Sequence, residues 1–222
     1  MNDLVSVSGE FNNSQDLIKT GLWHYFDSKS GDTLKFGNYK HGHKHKMWTY
    51  FYGSGSYKIE WDTYNNSGFS VDYPSTWKTT DKEGFLFYSL KDSVYGYNVT
   101  HVGGKDENEL ETYLKDFLKR VNKFNVNDIS FKKEILQDSI ILYNGSFTYK
   151  NKKGISISCI SSIFQKDNYI YDCTYFKRGS SNLEKKDFLI EKEMTTSIFI
   201  EDEQLFIVPY ITKSTQLEIN FN

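Results

Sequence analysis

Gly21-Leu22-Trp23-His24-Tyr25-Phe26 returns 25 positions later as Lys46-Met47-Trp48-Thr49-Tyr50-Phe51. Within each copy, aromatic residues alternate with others at the period of two that marks a β-strand. Each copy then passes a glycine turn, at Ser30-Gly31 and at Ser54-Gly55, into a second strand-like stretch. An echo lies ahead of each tryptophan: Gly9-Glu10-Phe11 before Trp23, and Gly37-Asn38-Tyr39 before Trp48. A repeat of this length indicates stacked supersecondary units, each burying its apolar face on the next. Hairpin follows hairpin from residue 4 to residue 64, and such an array offers a surface to a partner more readily than a catalytic pocket. Trp23 and Trp48 are expected in the repeat core.

The rest of the composition agrees. Aromatic residues make up 17% of the 222, alanine is absent, and proline occurs only at Pro74 and Pro209. Many Tyr, Phe and Thr with few strong helix formers favour sheet over helix. A formal charge of −2 and a pI near 6.2 exclude wrapping nucleic acid as a main activity, which needs a basic excess. The two cysteines, Cys159 and Cys173, cannot make a dense disulfide scaffold. With no signal-like start and no run of 18 apolar residues, a cytoplasmic location is expected, unless a signal or lipid-anchor segment belongs ahead of this stretch.

Beyond the repeats, Tyr64-Asn65-Asn66-Ser67-Gly68 reads as a polar linker. The expected domains are therefore 1–66, 67–200 and a strand-like tail over 201–222. Phe69-Ser70-Val71-Asp72-Tyr73-Pro74-Ser75-Thr76-Trp77 is a strand stopped by a proline and followed by a buried-type tryptophan. Residues 85–90 and 95–102 make two more strands. A helix is predicted over 107–123, where Leu110, Leu114, Phe117, Leu118 and Val121 form one stripe and the terminal charges match the helix dipole. Strands are expected over 129–136, 139–149, 155–164 and 169–176, with Asn144-Gly145 as a turn or a bulge. A second helix is expected over 183–197, with Leu183, Phe188, Ile190 and Met194 facing inward. The fold class is α+β and sheet-rich.

The first segment resembles the bacterial MORN-variant repeats of the YwqK-like antitoxin family. The residues that carry it are Gly21, Trp23, Tyr25, Phe26, Gly31, Gly37, Tyr39, Gly42, Trp48, Tyr50, Phe51 and Gly55. The sequence departs from that pattern at Lys46, where the family has Gly, and at Trp61-Asp62, where the closing glycine is missing. The remainder resembles a PsbP-like domain, an antiparallel sheet with helices on its faces. That likeness is carried by residues 69–77, the amphipathic helix after two strands, and a closing helix ending in Ser197-Ile198-Phe199. The two resemblances imply binding roles, among them toxin neutralisation and chaperoning of secreted effectors. Neither supplies a catalytic residue set.

Residue types that carry chemistry in other proteins occur at a few places in the sequence. His41-x-His43-x-His45 would set three imidazoles on one side of a strand, as zinc or copper requires. Gly42 and the flanking lysines instead suggest a solvated turn that repels cations. Val102-Gly103-Gly104-Lys105 before a helix suggests a phosphate loop, but the full P-loop pattern is missing and acidic residues already occupy that helix start. Cys159 and Cys173 stand close enough across a hairpin for register to decide whether they meet, and core thiols are favoured over a disulfide. No G-x-S-x-G elbow exists, and paired carboxylates such as Glu201-Asp202-Glu203 lie in turns.

What remains is a protein expected to bind another protein, with no catalytic residue, metal or cofactor assigned. Tyr25, Tyr50, Tyr52 and Tyr57 are the candidate partner-binding residues, because tyrosine carries much of the energy of protein interfaces. The preferred reading is an immunity or antitoxin-type protein that masks a toxin. The alternatives are an adaptor or chaperone for a secreted effector, and a ligand carrier or hydrolase with a pocket in the second domain. Nucleic acid and membrane contact are not expected.

Overall fold

A computed structural model of the chain describes residues 5–11, 18–66, 68–80, 85–89, 94–103, 107–124, 126–136, 140–166, 168–179, 182–200, 203–204 and 211–216. The chain divides into two units, one of residues 1–77 with 193–207 and one of residues 78–192 with 208–222.

The first unit is an antiparallel sheet of successive hairpins. Its strands are β1 (Val5–Phe11), β2 (Lys19–Asp27), β3 (Thr33–Lys40), β4 (His43–Tyr52), β5 (Gly55–Asn66) and β6 (Phe69–Pro74), paired in chain order. Both repeat copies use one device. The Trp23 indole lies over Gly9 and the Trp48 indole over Gly37, so close that a Cβ on either glycine would fall 2.2 or 2.3 Å from ring atoms. Each indole N–H donates to the carbonyl just after its glycine, Trp23 Nε1 to Glu10 O at 3.1 Å and Trp48 Nε1 to Asn38 O at 3.0 Å. The register slips at both glycines, and the facing strand answers with a left-handed residue, Gly21 at φ 67° or Lys46 at φ 60°. The Gly-x-aromatic echo is thus the seat on which each tryptophan lies, and Trp23 and Trp48 are 2% and 0% exposed.

Two expected boundaries are corrected. The expected boundary at residue 66 falls between paired strands: β5 runs to Asn66, which stands opposite Phe69 of β6, and Gly68 has φ 81°. A polar Asn-Asn-Ser-Gly run suits a hairpin turn as well as a linker, and only the pairing partner separates them. The tail is not a separate piece either. β14 (Phe199–Ile200) and β15 (Glu203–Gln204) extend the first sheet beyond β6, while β16 (Ile211–Gln216) joins the second sheet against β10 (Asn127–Leu136). Phe206, Val208, Tyr210, Leu217, Ile219 and Phe221 lie outside the described residues.

In the second unit the strands run in the order β16, β10, β11 (Ile141–Lys150), β12 (Ser156–Lys166), β13 (Tyr169–Arg178), β9 (Tyr95–Gly103), β8 (Phe85–Ser89), β7 (Trp77–Thr80). Helix α1 (Glu107–Asn122) forms where its stripe predicted. Leu110, Leu114 and Phe117 pack on Phe131, Phe147, Cys159 and Ile163. Gly145 is neither turn nor bulge but an interior position of β11 opposite Phe131, whose ring fills the space a side chain would take. Helix α2 (Lys185–Thr195) reaches the other face of the sheet through polar groups: Tyr175 donates to Asp187 and Ser162 to Glu191, each at 2.6 Å. Phe188, expected inside, is 46% exposed, while Leu189, Ile190 and Met194 are buried and Leu183 is half-buried. The inward stripe of α2 includes Asp187 and Glu191, so apolar periodicity does not mark it. Cys173 stands opposite Ser162 and Cys159 opposite Phe176. Three positions of offset put the two thiols on opposite faces, and both are free and buried.

Candidate functional site

The four candidate tyrosines separate into two pairs. Tyr50 is 1% exposed, with its hydroxyl directed at Glu193, and is corrected from surface to core. Tyr25 is half-buried and shares a 3.1 Å hydrogen bond with the Tyr39 hydroxyl. Burial holds the phenols of Tyr25, Tyr39 and Tyr50 above their ordinary value. Only Tyr52 and Tyr57 stand at the surface, at 40% and 37%, edge to face with one another. Tyr25 and Tyr50 share the face that carries Trp23 and Trp48, and that face is covered.

The opposite face of the same sheet carries the open aromatic surface. His24 and Phe36 are cross-strand partners there, and Phe36 pairs in turn with Thr49 and Thr49 with Lys58. The His24 ring stacks on Phe26 at 5.9 Å and on Phe36 at 5.3 Å, and Phe36 meets Phe51 at 6.0 Å. Leu22, Met47 and Phe51 beside them are 52%, 48% and 38% exposed. Solvated faces of antiparallel sheets are normally polar, and this one instead exposes apolar side chains.

The covered face holds a charged cluster that the sequence reading missed. Lys19 and Lys44 are buried at 8% and 4% exposure. Lys19 Nζ lies 5.1 to 5.8 Å from the rings of Tyr39, Trp23 and Tyr25 and donates to the Tyr25 hydroxyl. Lys35 sits over Tyr25, Trp48 and Tyr50, and Lys44 over Trp61. Glu193 bonds Lys35, accepts from Tyr50 and lies 3.4 Å from Lys44 Nζ, while Lys44 Nζ donates to the Glu193 carbonyl at 2.8 Å. The turn expected to be solvated around His43 and Lys44 is therefore partly interior. Alternation offered one signal: Lys35 stands on the Gly37 face, opposite Tyr25.

At one end of this cluster three side chains line up. His43 Nδ1 is 2.8 Å from Asp72 Oδ1, and His43 Nε2 is 3.2 Å from Ser70 Oγ. Asp72 is fully buried and also accepts from the Lys44 N–H at 2.8 Å and from Thr63 Oγ1 at 3.1 Å. With Nδ1 carrying its proton and donating it to Asp72 Oδ1, Nε2 is left to accept from the serine hydroxyl. The Phe199 ring lies 4.4 Å from the His43 ring, and Phe199 pairs with Ser70 in register. The imidazoles of His41-x-His43-x-His45 do not converge: His43 is committed to Asp72, His41 occupies a left-handed turn at φ 51°, and His45 stands opposite Asn38. Among the described residues no group of three His, Cys, Asp or Glu suits a metal ion.

The second unit has a shallow groove of about 440 Å³ along α1, lined by Val102, Thr112, Tyr113, Asp116, Arg120 and Ile170 among others. Behind it the buried Asp172 accepts from Tyr113, Ser161 and Thr174. Burial holds its carboxyl above the usual range, and burial with the nearby Asp172 raises the Tyr113 phenol to about 12. Both oxygens are thus occupied by hydroxyls. Residues 104–106, the rest of the phosphate-loop candidate, lie outside the described residues.

No family model matches the chain, and no curated protein matches it. A Bacteroides thetaiotaomicron protein of solved structure is 15% identical, with a TM-score of 0.42 over 62% of this chain and 47% of that one. This chain therefore spans about half of that protein's length. The solution structure of cyanobacterial PsbP (CyanoP) from Synechocystis is 13% identical, with a TM-score of 0.48 over 63% of this chain and 92% of that one. Both scores lie below 0.5, so the antiparallel architecture rests on the strand order and pairing described above. Among the described residues no helix is long and apolar enough to cross a membrane.

Proposed function

We propose that this chain is a protein-binding module of the immunity or antitoxin type, which covers a toxin with the open aromatic face of its first sheet. One observation carries the reading: His24, Phe26, Phe36 and Phe51 are joined ring to ring, with Leu22 and Met47 exposed on the same strands, where a solvated sheet face would be polar. The tryptophan-on-glycine repeat supports a MORN-like assignment for the first segment, and the strand and helix order after Phe69 supports a PsbP-like one for the rest. Masking would be steric, through a preformed surface needing little rearrangement. The face replaces Tyr25 and Tyr50 as the binding candidate, with Tyr52 and Tyr57 left outside it.

The test is co-purification from the native host with mass spectrometry, comparing the wild type with Met47→Asp/Phe51→Asp. Both positions are exposed, so folding should survive, as a melting curve would verify. The expected result is a toxin-like partner held by the wild type and lost from the variant. A partner retained equally by both would sink the assignment of this face.

A further inference from the structure

We propose that Ser70, His43 and Asp72 form a capped acyl-transfer site for a carboxylic ester or thioester, with Phe199 as its lid. This reading stands on residues apart from the open aromatic face. The geometry is that of a serine–imidazole–carboxylate relay: Oγ to Nε2 at 3.2 Å, Nδ1 to carboxylate at 2.8 Å. Such a relay is recognised by the roles of its members and not by their order in the chain. The supporting contacts are also present. Asp72 is held from behind by the backbone N–H of Lys44 and the hydroxyl of Thr63, which fix the carboxylate toward Nδ1. Ser70 and Asp72, two apart on β6, share one face of the strand.

The cap accounts for the burial of the serine. β14 is only two residues long and covers Ser70 by pairing Phe199 opposite it, with the Phe199 ring tilted on the imidazole. The Asp72 N–H donates to Ser197 Oγ at 2.9 Å, so this edge of β6 turns its N–H groups at Asp72 and Ser70 toward the 197–200 segment. Displacing β14 bares the Ser70 N–H beside its own hydroxyl, and a backbone donor there is what an acyl oxyanion needs.

With the lid displaced, the Ser70 hydroxyl gives its proton to His43 Nε2 while Oγ bonds to the acyl carbon. The carbonyl π pair moves onto oxygen, facing the Ser70 N–H. Collapse of that adduct breaks the bond to the leaving alcohol or thiol, which departs with the proton from His43. Water then repeats the sequence: it gives a proton to His43, bonds to the acyl carbon and releases Ser70 with its proton restored. The sum is ester plus water to acid plus alcohol, and no other reactant is needed. Asp72 acts as a positioning residue that holds the tautomer.

The test uses a fluorophosphonate probe and p-nitrophenyl acetate on the full chain, with the adduct mapped by peptide mass spectrometry. Expected are an adduct on Ser70 in the wild type, labelling about tenfold faster in Phe199→Ala, and a loss of about 100-fold or more in His43→Gln in either background. Ester turnover should follow the same order and vanish in Ser70→Ala. If Phe199→Ala does not melt cooperatively, Phe199→Leu carries the lid comparison. No Ser70 adduct in folded wild type and lid variants overturns the proposal. So does a Ser70 adduct whose rate is indifferent to His43→Gln, or a rate equal with and without the Phe199 ring.

Discussion

Gly37 shows how much rests on one missing side chain. Its neighbour indole occupies the space a Cβ would need, 2.3 Å away, in a core that cannot yield by that much. Gly37→Ala should therefore cost about 3 kcal/mol or more, as overpacking of a filled site does, read from urea unfolding. Lys46 is the converse case, a lysine held at φ 60° where the resemblance leads one to expect glycine. Lys46→Gly should gain up to about 1 kcal/mol by removing left-handed strain. Lys19 sets a pH dependence. Burial, then Lys35 and Lys44, bring its ammonium down from 10.5 to about 8. Between pH ~8 and ~10 the folded chain has released the Lys19 proton that the unfolded chain keeps, so the destabilisation caused by Lys19 is relieved across that window. Burial also raises the thiols of Cys159 and Cys173 and the phenols of Tyr25, Tyr39 and Tyr50; these ionise first in the unfolded chain and pull stability down from about pH 9 upward. Lys19→Met should therefore add on the order of 2 kcal/mol at pH 7, a gain that shrinks as pH rises from ~8 to ~10. A gain that stays constant from pH 7 to 10 would refute the account of Lys19.

At the scale of elements, the segment 193–200 is fastened to the first sheet by charge. Glu193 serves Lys35, Lys44 and Tyr50, and replacing it removes the buried carboxylate that all three share. Glu193→Gln should cost about 3–5 kcal/mol, whereas Lys119→Ala on the exposed i,i+3 pair with Asp116 should change stability by less than about 0.5 kcal/mol. Equal losses in thermal melts would contradict this ranking. The two helices show what was legible at this scale. The α1 stripe is apolar and its ends are charged to suit the dipole, so its place followed from spacing alone. α2 turns Asp187 and Glu191 inward to Tyr175 and Ser162, and such a face leaves no apolar signature. The strands resemble α1 in this respect: alternation located most of them, and Gly145 was misread only because its partner Phe131 is distant in sequence.

At the scale of the molecule, the first unit is assembled from residues 1–77 and 193–207. A fragment of residues 1–77 should therefore lack a cooperative transition, since Glu193, Ser197 and Phe199 are missing from its covered face. Joining 193–207 to it through a flexible linker should restore one, as amide dispersion and melting would reveal. Cooperative folding of residues 1–66 alone would contradict this, because β6 supplies Asp72 to the cluster. What the amino-acid order determined by itself was local: the hairpins, the tryptophan and glycine echo, helix α1 and the strand content. These depend on backbone preference and on periods of two and 3.6, which act over a few residues. Tertiary structure alone decided which face of the first sheet is covered, where the units divide, and that His43 meets Ser70 and Asp72. A period of two sorts residues into faces without saying which face is wet, and the lysine contacts to Glu193 span 149 and 158 positions. Contacts at that separation are chosen by the packing of the whole sheet, which no local pattern encodes.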